Sequence, residues 1–254
     1  MEVRISSEIK YFEGFCSACN SETNFLVDHL WGGTFENGFL IPNWRERLEC
    51  VVCKMNNRQR IITALIRSYL NIERNSVIYL MEQVTPIFKW VKKSFPQHKI
   101  IGSEYLGYNY RSGTKIDEIR HENIEELSLS DESVDLIISN DVFEHVPNPL
   151  VAFSNCSRVL RKGGVMLATF PFHTMNSNSV TRALLLNGKV KNILDPIFHG
   201  NPINENGSLV FTDFGWDVLG NMIQAGFKEV NLEIYSSKIL GHYGHLPQVF
   251  RAVK

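Results

Sequence analysis

The chain has 254 residues, 44% of them hydrophobic, and a formal net charge of −1. That length and apolar content suffice for one large domain and a small appendage around a well-buried core. The charge gives no global electrostatic reason to expect nucleic acid or an anionic membrane as partner. No apolar run approaches the ~18–20 residues of a membrane-spanning helix, and the opening MEVRISSEIKYFEGF has no signal-peptide core, so a soluble, cytoplasmic protein is expected.

Residues 1–56 hold two C-x2-C pairs, Cys16/Cys19 and Cys50/Cys53, with Gly32-Gly33, Gly38 and Pro42 between them. In a reducing compartment such pairs read as a metal site rather than as disulfides. Four thiolates arranged tetrahedrally suit Zn2+ and leave no open position, so the ion would be structural. It would replace a core in a module too small to fold alone. No amphipathic helix runs through this part, which is expected to be loops and strands. The fifth cysteine, Cys156, falls in a later helical stretch and reads as buried packing.

Residues 57–74 place Ile61, Ile62, Leu65, Ile66, Tyr69 and Leu70 at helical spacing, an amphipathic helix linking the module to the larger domain. From Asn75 onward strands and helices alternate. Val77–Met81 is a short buried strand, and Thr85–Ser94 a helix with Pro86 tolerated in its first turn. Lys99–Glu104 is a strand ending in an acid, with a weaker strand near Lys115–Arg120. Val134–Ser139 is a strand, Asn148–Leu160 a helix, Gly164–Phe170 a strand and Phe211–Ala225 a helix closed by Gly226. Phe227–Ser236 and Val249–Val253 are the last strands. Alternating elements with near-continuous apolar strands specify an α/β fold with a mostly parallel sheet covered on both faces.

Between Phe172 and Val210 the pattern breaks down into a segment rich in Asn, His, Gly and Pro. An insertion of this kind after a strand's carboxyl end is where an α/β enzyme builds a substrate pocket. His173 and His199 are its candidate substrate contacts. His242 and His245, in GHYGHLP, read as loop packing or substrate-edge contacts, and Asp213 as an acid at the start of a helix.

The stretch DESVDLIISNDVFEHVPNP, followed by SRVLRKGGVMLATFP and later by FGWDVLGNMIQAGFKEVNLEIY, resembles the class I S-adenosylmethionine-dependent methyltransferases of the EHVP type. The resemblance covers roughly residues 75–254. It implies a seven-stranded, mostly parallel, Rossmann-like sheet with its last strand antiparallel, and S-adenosylmethionine lying across the carboxyl ends of the first four strands. Glu104, with Tyr105 beside it, would take the ribose hydroxyls, since a carboxylate can accept two hydrogen bonds from a vicinal diol. Asn123 and Ile124 would meet the adenine, and Asn140 and Asp141 would line the methionine moiety. His145 would sit near the methyl group, either as the proton acceptor or as part of a structural turn opening the next helix.

One departure stands out. The family's first strand leads into a G-x-G loop that lets the backbone approach the cofactor. This chain reads VIYLMEQVTPIF there, with no glycine from Asn75 to Ile101. Glu82, Gln83 and Thr85 are then expected to contact the aminocarboxyl end through their side chains. The activity expected is methyl transfer to a small molecule, with a sugar or polysaccharide-precursor hydroxyl as acceptor. Two alternatives stand beside it: an RNA methyltransferase whose zinc module reads RNA, which the neutral charge and the lack of a basic cluster oppose, and a non-catalytic scaffold on this fold, which the missing glycines favour. The sequence leaves the oligomeric state open.

Overall fold

The computed structural model describes residues 10–37, 39–69, 75–244 and 247–254. The chain divides into two compact units, residues 1–70 with 233–249, and residues 71–232 with 250–254.

In the first unit β1 (Lys10–Cys16) and β2 (Ser21–Val27) form an antiparallel hairpin, and β3 (Glu49–Cys50) joins the far edge of β2. Helix α1 (Asn57–Tyr69) belongs to this unit; positions 70–74 of the expected linking helix lie outside the described residues. The unit therefore extends beyond the boundary placed at residue 56, and buried polar contacts explain why. Arg60 of α1 is fully buried, and its guanidinium lies 4.1 Å from the centre of the Phe25 ring. One of its nitrogens donates to the carbonyls of Leu48 at 3.3 Å and Gly241 at 2.8 Å. A buried cation with carbonyl partners cannot be withdrawn without leaving those groups unpaired, so helix and module form one body.

The second unit is built on a six-stranded sheet. Its strands are β4 (Val77–Leu80), β5 (Lys99–Gly102), β6 (Val134–Asn140), β7 (Leu160–Thr169), β8 (Glu229–Ile234) and β9 (Gln248–Val253), in the order β8-β9-β7-β6-β4-β5. Strands β7, β6, β4 and β5 run parallel, and β9 runs antiparallel to β7. Helices α2 (Pro86–Ser94), α3 (Pro149–Val159) and α4 (Asp217–Gln224) alternate with the strands. Asn148 caps α3 by accepting a hydrogen bond from the Val151 amide at 3.3 Å. Gly102 closes β5, where an added Cβ would come within 2.3 Å of the Phe88 ring, so α2 packs this tightly only over a glycine.

The core lies among Tyr79, Ile137, Phe143, Phe153, Met166, Phe170, Phe214 and Phe250, all essentially without solvent contact. The Phe170 and Phe250 rings stack at 4.2 Å, and Phe143 lies 4.5 Å from Phe153. Cys156 is fully buried here, as expected, and burial pushes its thiol pKa up.

Three expectations are corrected. The strand near Lys115–Arg120 is a two-residue hairpin, Lys115–Ile116 against Ile119–Arg120, because Asp117 and Glu118 take positive φ (47° and 65°) and reverse the chain. The sheet continues beyond β5 only as a single parallel bridge between Glu104 and His121, so among the described residues it has six strands where seven were expected. The last helix begins at Asp217, not Phe211. Thr212–Asp213 instead pairs with Val180–Thr181, and Gly215 passes against the backbone of Asn176 and Asn178. The insertion contains two hairpins, Ala183–Leu186 with Lys189–Asn192 and Phe198–Asn201 with Asn204–Leu209.

Candidate functional site

The parallel register sets Asn140 beside Thr169, and Leu80 beside Ile138 and Gly102, so that β4, β5, β6 and β7 all end at one edge. This is the edge at which open α/β sheets bind ligands. The loop after β4 carries Glu82, Gln83 and Thr85. Glu82 is buried, and its carboxylate accepts a hydrogen bond from Asn140 Nδ2. Thr85 donates to the Glu82 carbonyl at 2.8 Å, pinning the turn into α2. Gln83 reaches sideways: its amide nitrogen donates to the Glu118 carbonyl at 2.9 Å and its amide oxygen accepts from the Arg120 backbone at 3.2 Å. The glycine-free loop is thus held by its own polar side chains.

Glu104 stands two residues beyond β5. Its carboxylate accepts the Val84 amide at 2.8 Å. Burial pushes its pKa up to about 7, against the pull of the Val84 and Gln83 amides. Tyr105 is half exposed, its ring 5.7 Å from Tyr108 and 5.4 Å from His121. Asn123 spends its amide oxygen on the Glu125 backbone at 3.0 Å, while Ile124 is buried in the core. Asp141 takes φ +57° at the end of β6 and accepts from Thr169 Oγ1 at 3.2 Å. Asn140 Oδ1 is buried and has no hydrogen-bond partner among the described residues. An ammonium group is the natural donor to such an oxygen, and a diol the natural donor to Glu104. The residues at this edge therefore fit the aminocarboxyl and ribose ends of S-adenosylmethionine.

A second cluster lies immediately after β6. Phe143–His145 forms one turn of 3-10 helix there. His145 Nδ1 lies 2.8 Å from the Leu209 carbonyl, which fixes Nδ1 as the protonated nitrogen and leaves the Nε2 lone pair free. Nε2 stands 3.6 Å from Glu144 Oε1, and His199 Nδ1 approaches the same oxygen at 3.5 Å. Glu144 is 1% exposed, and neither carboxylate oxygen has a hydrogen-bond partner among the described residues. A cavity of about 240 Å³ opens here, lined by Glu144, His173, Arg182, His199 and Asp213 among others. Arg182 pairs with Asp213 at 2.6 Å, and His173 Nε2 lies 4.0 Å from the same carboxylate. A larger cavity of about 450 Å³, between Arg111–Thr114 and Glu126–Ser128, contains none of the expected site residues. The smaller one holds the reactive groups and is the better substrate pocket on chemical grounds.

The structure thus brings His173 and His199 to one cavity, with the His145 ring behind its wall, 5.0 Å from that of His199. Glu144, Arg182 and Asp213 were not expected there. Glu144 carried a signal, since it stands beside His145 in EHVP. Arg182 and Asp213 carried none, because their pairing depends on how the insertion folds.

In the first unit the four cysteines converge. Cys16 and Cys53 sulfurs lie 3.9 Å apart, Cys19 and Cys50 sulfurs 3.8 Å, and all four within 4.8 Å of one another. A tetrahedron with metal–sulfur bonds of about 2.3 Å has edges of about 3.8 Å. Each pair is a matching knuckle: Asn20 and Lys54, one residue past the second cysteine, take φ of 56° and 60° and donate to the carbonyls of Cys16 and Cys50. Burial, with the neighbouring thiols, pushes Cys19 up to about 12, whereas hydrogen bonds from Cys16 and Cys53 pull Cys50 far down. Four thiolates cannot coexist here without a cation, so the residues fit a zinc ion. His242 is buried, 3.3 Å from Ser17 Oγ, and burial with the Arg60 charge lowers its pKa to about 3. It is a packing residue; His245 lies outside the described residues.

Residues 88–168 match the family described as "Methyltransferase domain". The chain is 36% identical over 105 residues to a "Probable S-adenosylmethionine-dependent methyltransferase" of Mycolicibacterium smegmatis, covering 35% of this chain and 41% of that protein. It is 35% identical over 78 residues to a "Ubiquinone biosynthesis O-methyltransferase" of Dinoroseobacter shibae, covering 31% and 29%. The chain therefore spans less than half the length of these curated relatives. Among solved structures it is similar to an S-adenosylmethionine-dependent methyltransferase from Mesorhizobium loti, with 13% identity, 75% and 96% coverage and a TM-score of 0.45. The matched part of the chain is similar in sequence to S-adenosylmethionine-dependent methyltransferases. No helix of the described residues is long and apolar enough to cross a membrane.

Proposed function

We propose that this protein transfers a methyl group from S-adenosylmethionine to a hydroxyl of a small molecule, with a sugar or polysaccharide precursor as the acceptor class. The observation that carries the reading is the placing of Glu82, Glu104 and Asn140 at adjacent strand ends, one loop before a polar cavity lined by Glu144, His173 and His199, with His145 beside Glu144 and His199. The O-methyltransferase name of one relative agrees with an oxygen acceptor. S-adenosylmethionine, when bound, supplies a methyl group on a cationic sulfur, open to in-line attack.

The chain's own residues do the rest. Glu104 holds the ribose diol, and Asn140 Oδ1 and Glu82 receive the ammonium. His145 keeps its proton on Nδ1 against Leu209, so Nε2, beside the cavity-lining Glu144, is the basic nitrogen and takes the hydroxyl proton in this proposal. His173 and His199, with Arg182 and Asp213, supply donors and acceptors for a hydroxylated substrate. Fixing acceptor and donor in line accounts for much of the rate gain such a site can give. Zinc at Cys16, Cys19, Cys50 and Cys53 is structural in this proposal. Arg60 offsets part of its thiolate charge, and all four cysteines help the guanidinium keep its proton against burial.

Calorimetry with S-adenosylhomocysteine tests the reading. One site per chain with micromolar affinity is expected, and a ligand-induced rise in melting temperature should accompany it. No heat and no thermal shift would leave a scaffold on this fold as the function.

A further inference from the structure

We propose that Glu144, His145 and His199 form a binding site for a divalent first-row transition cation, separate from the cysteine cluster and open toward the 240 Å³ cavity. The inference deepens the methyl-transfer reading in what the ion does, while the binding itself stands without it.

Glu144 is the starting observation. Its carboxylate is removed from solvent, and neither oxygen receives a hydrogen bond. A buried, unpaired carboxylate is strongly disfavoured. The cation nearest in the cavity, Arg182, is committed to Asp213 and to the Asp195 carbonyl. The neighbours that do face Glu144 are two imidazole nitrogens at 3.5 and 3.6 Å, beyond a good hydrogen bond. Two ligands bound tetrahedrally to one ion at about 2.1 Å stand about 3.4 Å apart. The three donor atoms all lie within 4.8 Å of one another, so an ion between them needs only small side-chain adjustments.

The second observation is the state of His145. Metal-ligating histidines commonly give their other ring N–H to a backbone carbonyl, which fixes the tautomer and aims the lone pair. His145 Nδ1 has this partner in Leu209. Leu209 and His199 belong to the two strands of one hairpin, Phe198–Asn201 and Asn204–Leu209, so that hairpin supplies both a ligand and the carbonyl that orients another. Two imidazoles and one carboxylate suit zinc, manganese or ferrous iron. Three protein ligands leave at least one position open, the pattern of a site that takes substrate.

The occupant of that position is the acceptor hydroxyl. Coordination lowers the pKa of an O–H group, so its proton leaves to solvent. The oxygen then bonds to the methyl carbon as the carbon–sulfur bond breaks, giving a methyl ether, S-adenosylhomocysteine and a proton. At His145 Nε2 the roles of base and ligand are exclusive, and with the ion present the cation replaces the base.

The test uses the full chain, zinc-replete at its cysteines, titrated with Mn2+, which thiolates bind poorly. Free Mn2+ is read by its paramagnetic resonance signal. Wild type is expected to hold one Mn2+ per chain, and Glu144→Gln and His199→Ala each to weaken it at least tenfold at unchanged zinc content and melting temperature. If Glu144→Gln fails to fold, His199→Ala, on a peripheral hairpin, carries the test. No uptake of Mn2+ or Zn2+ beyond the cysteine cluster, or wild-type affinity in both variants, overturns the site. Mn2+ uptake that depends on these residues in a protein that does not bind S-adenosylhomocysteine supports the site and rejects only the methyl-transfer reading.

Discussion

Replacing Glu104 by Gln removes one charge from a largely buried position while keeping its shape. In the free protein burial raises the Glu104 pKa from 4.5 to about 7. A ribose diol donates to the ionised carboxylate, so cofactor binding requires the proton to leave. The ionised fraction falls from ~0.9 at pH 8 to ~0.1 at pH 6, which corresponds to ~1.4 kcal/mol, about tenfold in affinity. Calorimetry with S-adenosylhomocysteine at these two pH values, in two buffers of different ionisation heat, should show that loss and a proton released on binding at pH 6. Glu104→Gln should bind more weakly by about 1–3 kcal/mol at pH 8, with no proton release and no slope.

The same shift has a stability consequence. The unfolded chain loses this proton near pH 4.5 and the folded chain near 7, so the contribution of Glu104 to stability is complete below 4.5 and is lost as pH rises to 7. Across that window Glu104→Gln should gain on wild type by on the order of 3 kcal/mol at most. A wild-type affinity flat between pH 6 and 8, or an equal slope in the variant, would refute the reasoning.

Two further outcomes are expected. One zinc per chain should co-purify, and Cys50→Ala should release it and abolish hydrogen-exchange protection across β1–β3 while β4–β7 stay protected; a metal-free wild type with intact protection would reject the zinc reading. Phe143→Ala should cost about 3–5 kcal/mol in denaturant melts, because the ring is fully buried against Phe153 and Phe170; a loss under about 1 kcal/mol would mean that this packing is wrong.

Much of the architecture was legible because its signals are local. The apolar runs of β4, β6 and β7 are long enough to require burial on both faces, and the Pro86 and Pro149 positions mark helix starts within a residue of those found. The cysteine spacing named its own cluster. The first hairpin of the insertion has a local signal too: Asn187-Gly188, at φ 50° and 74°, is the dipeptide that a tight hairpin turn demands. The strand expected near Lys115–Arg120 failed for the opposite reason. Its apolar content suited a strand, but two successive left-handed residues turned it back on itself.

The sequence by itself determined the alternation of elements, the paired cysteines and the chemical types available at the strand ends, since each is set by spacing within one segment. Tertiary structure decided which of those groups meet. His199 lies 54 residues from His145, Arg182 31 from Asp213, and Arg60 about 180 from the Gly241 carbonyl that receives it. Such pairs are set by packing between segments distant in the chain, where no periodicity records the partner. They also decided the state of Glu144: one residue of a four-letter motif becomes a buried carboxylate facing two imidazoles only when a distant hairpin brings His199 to it.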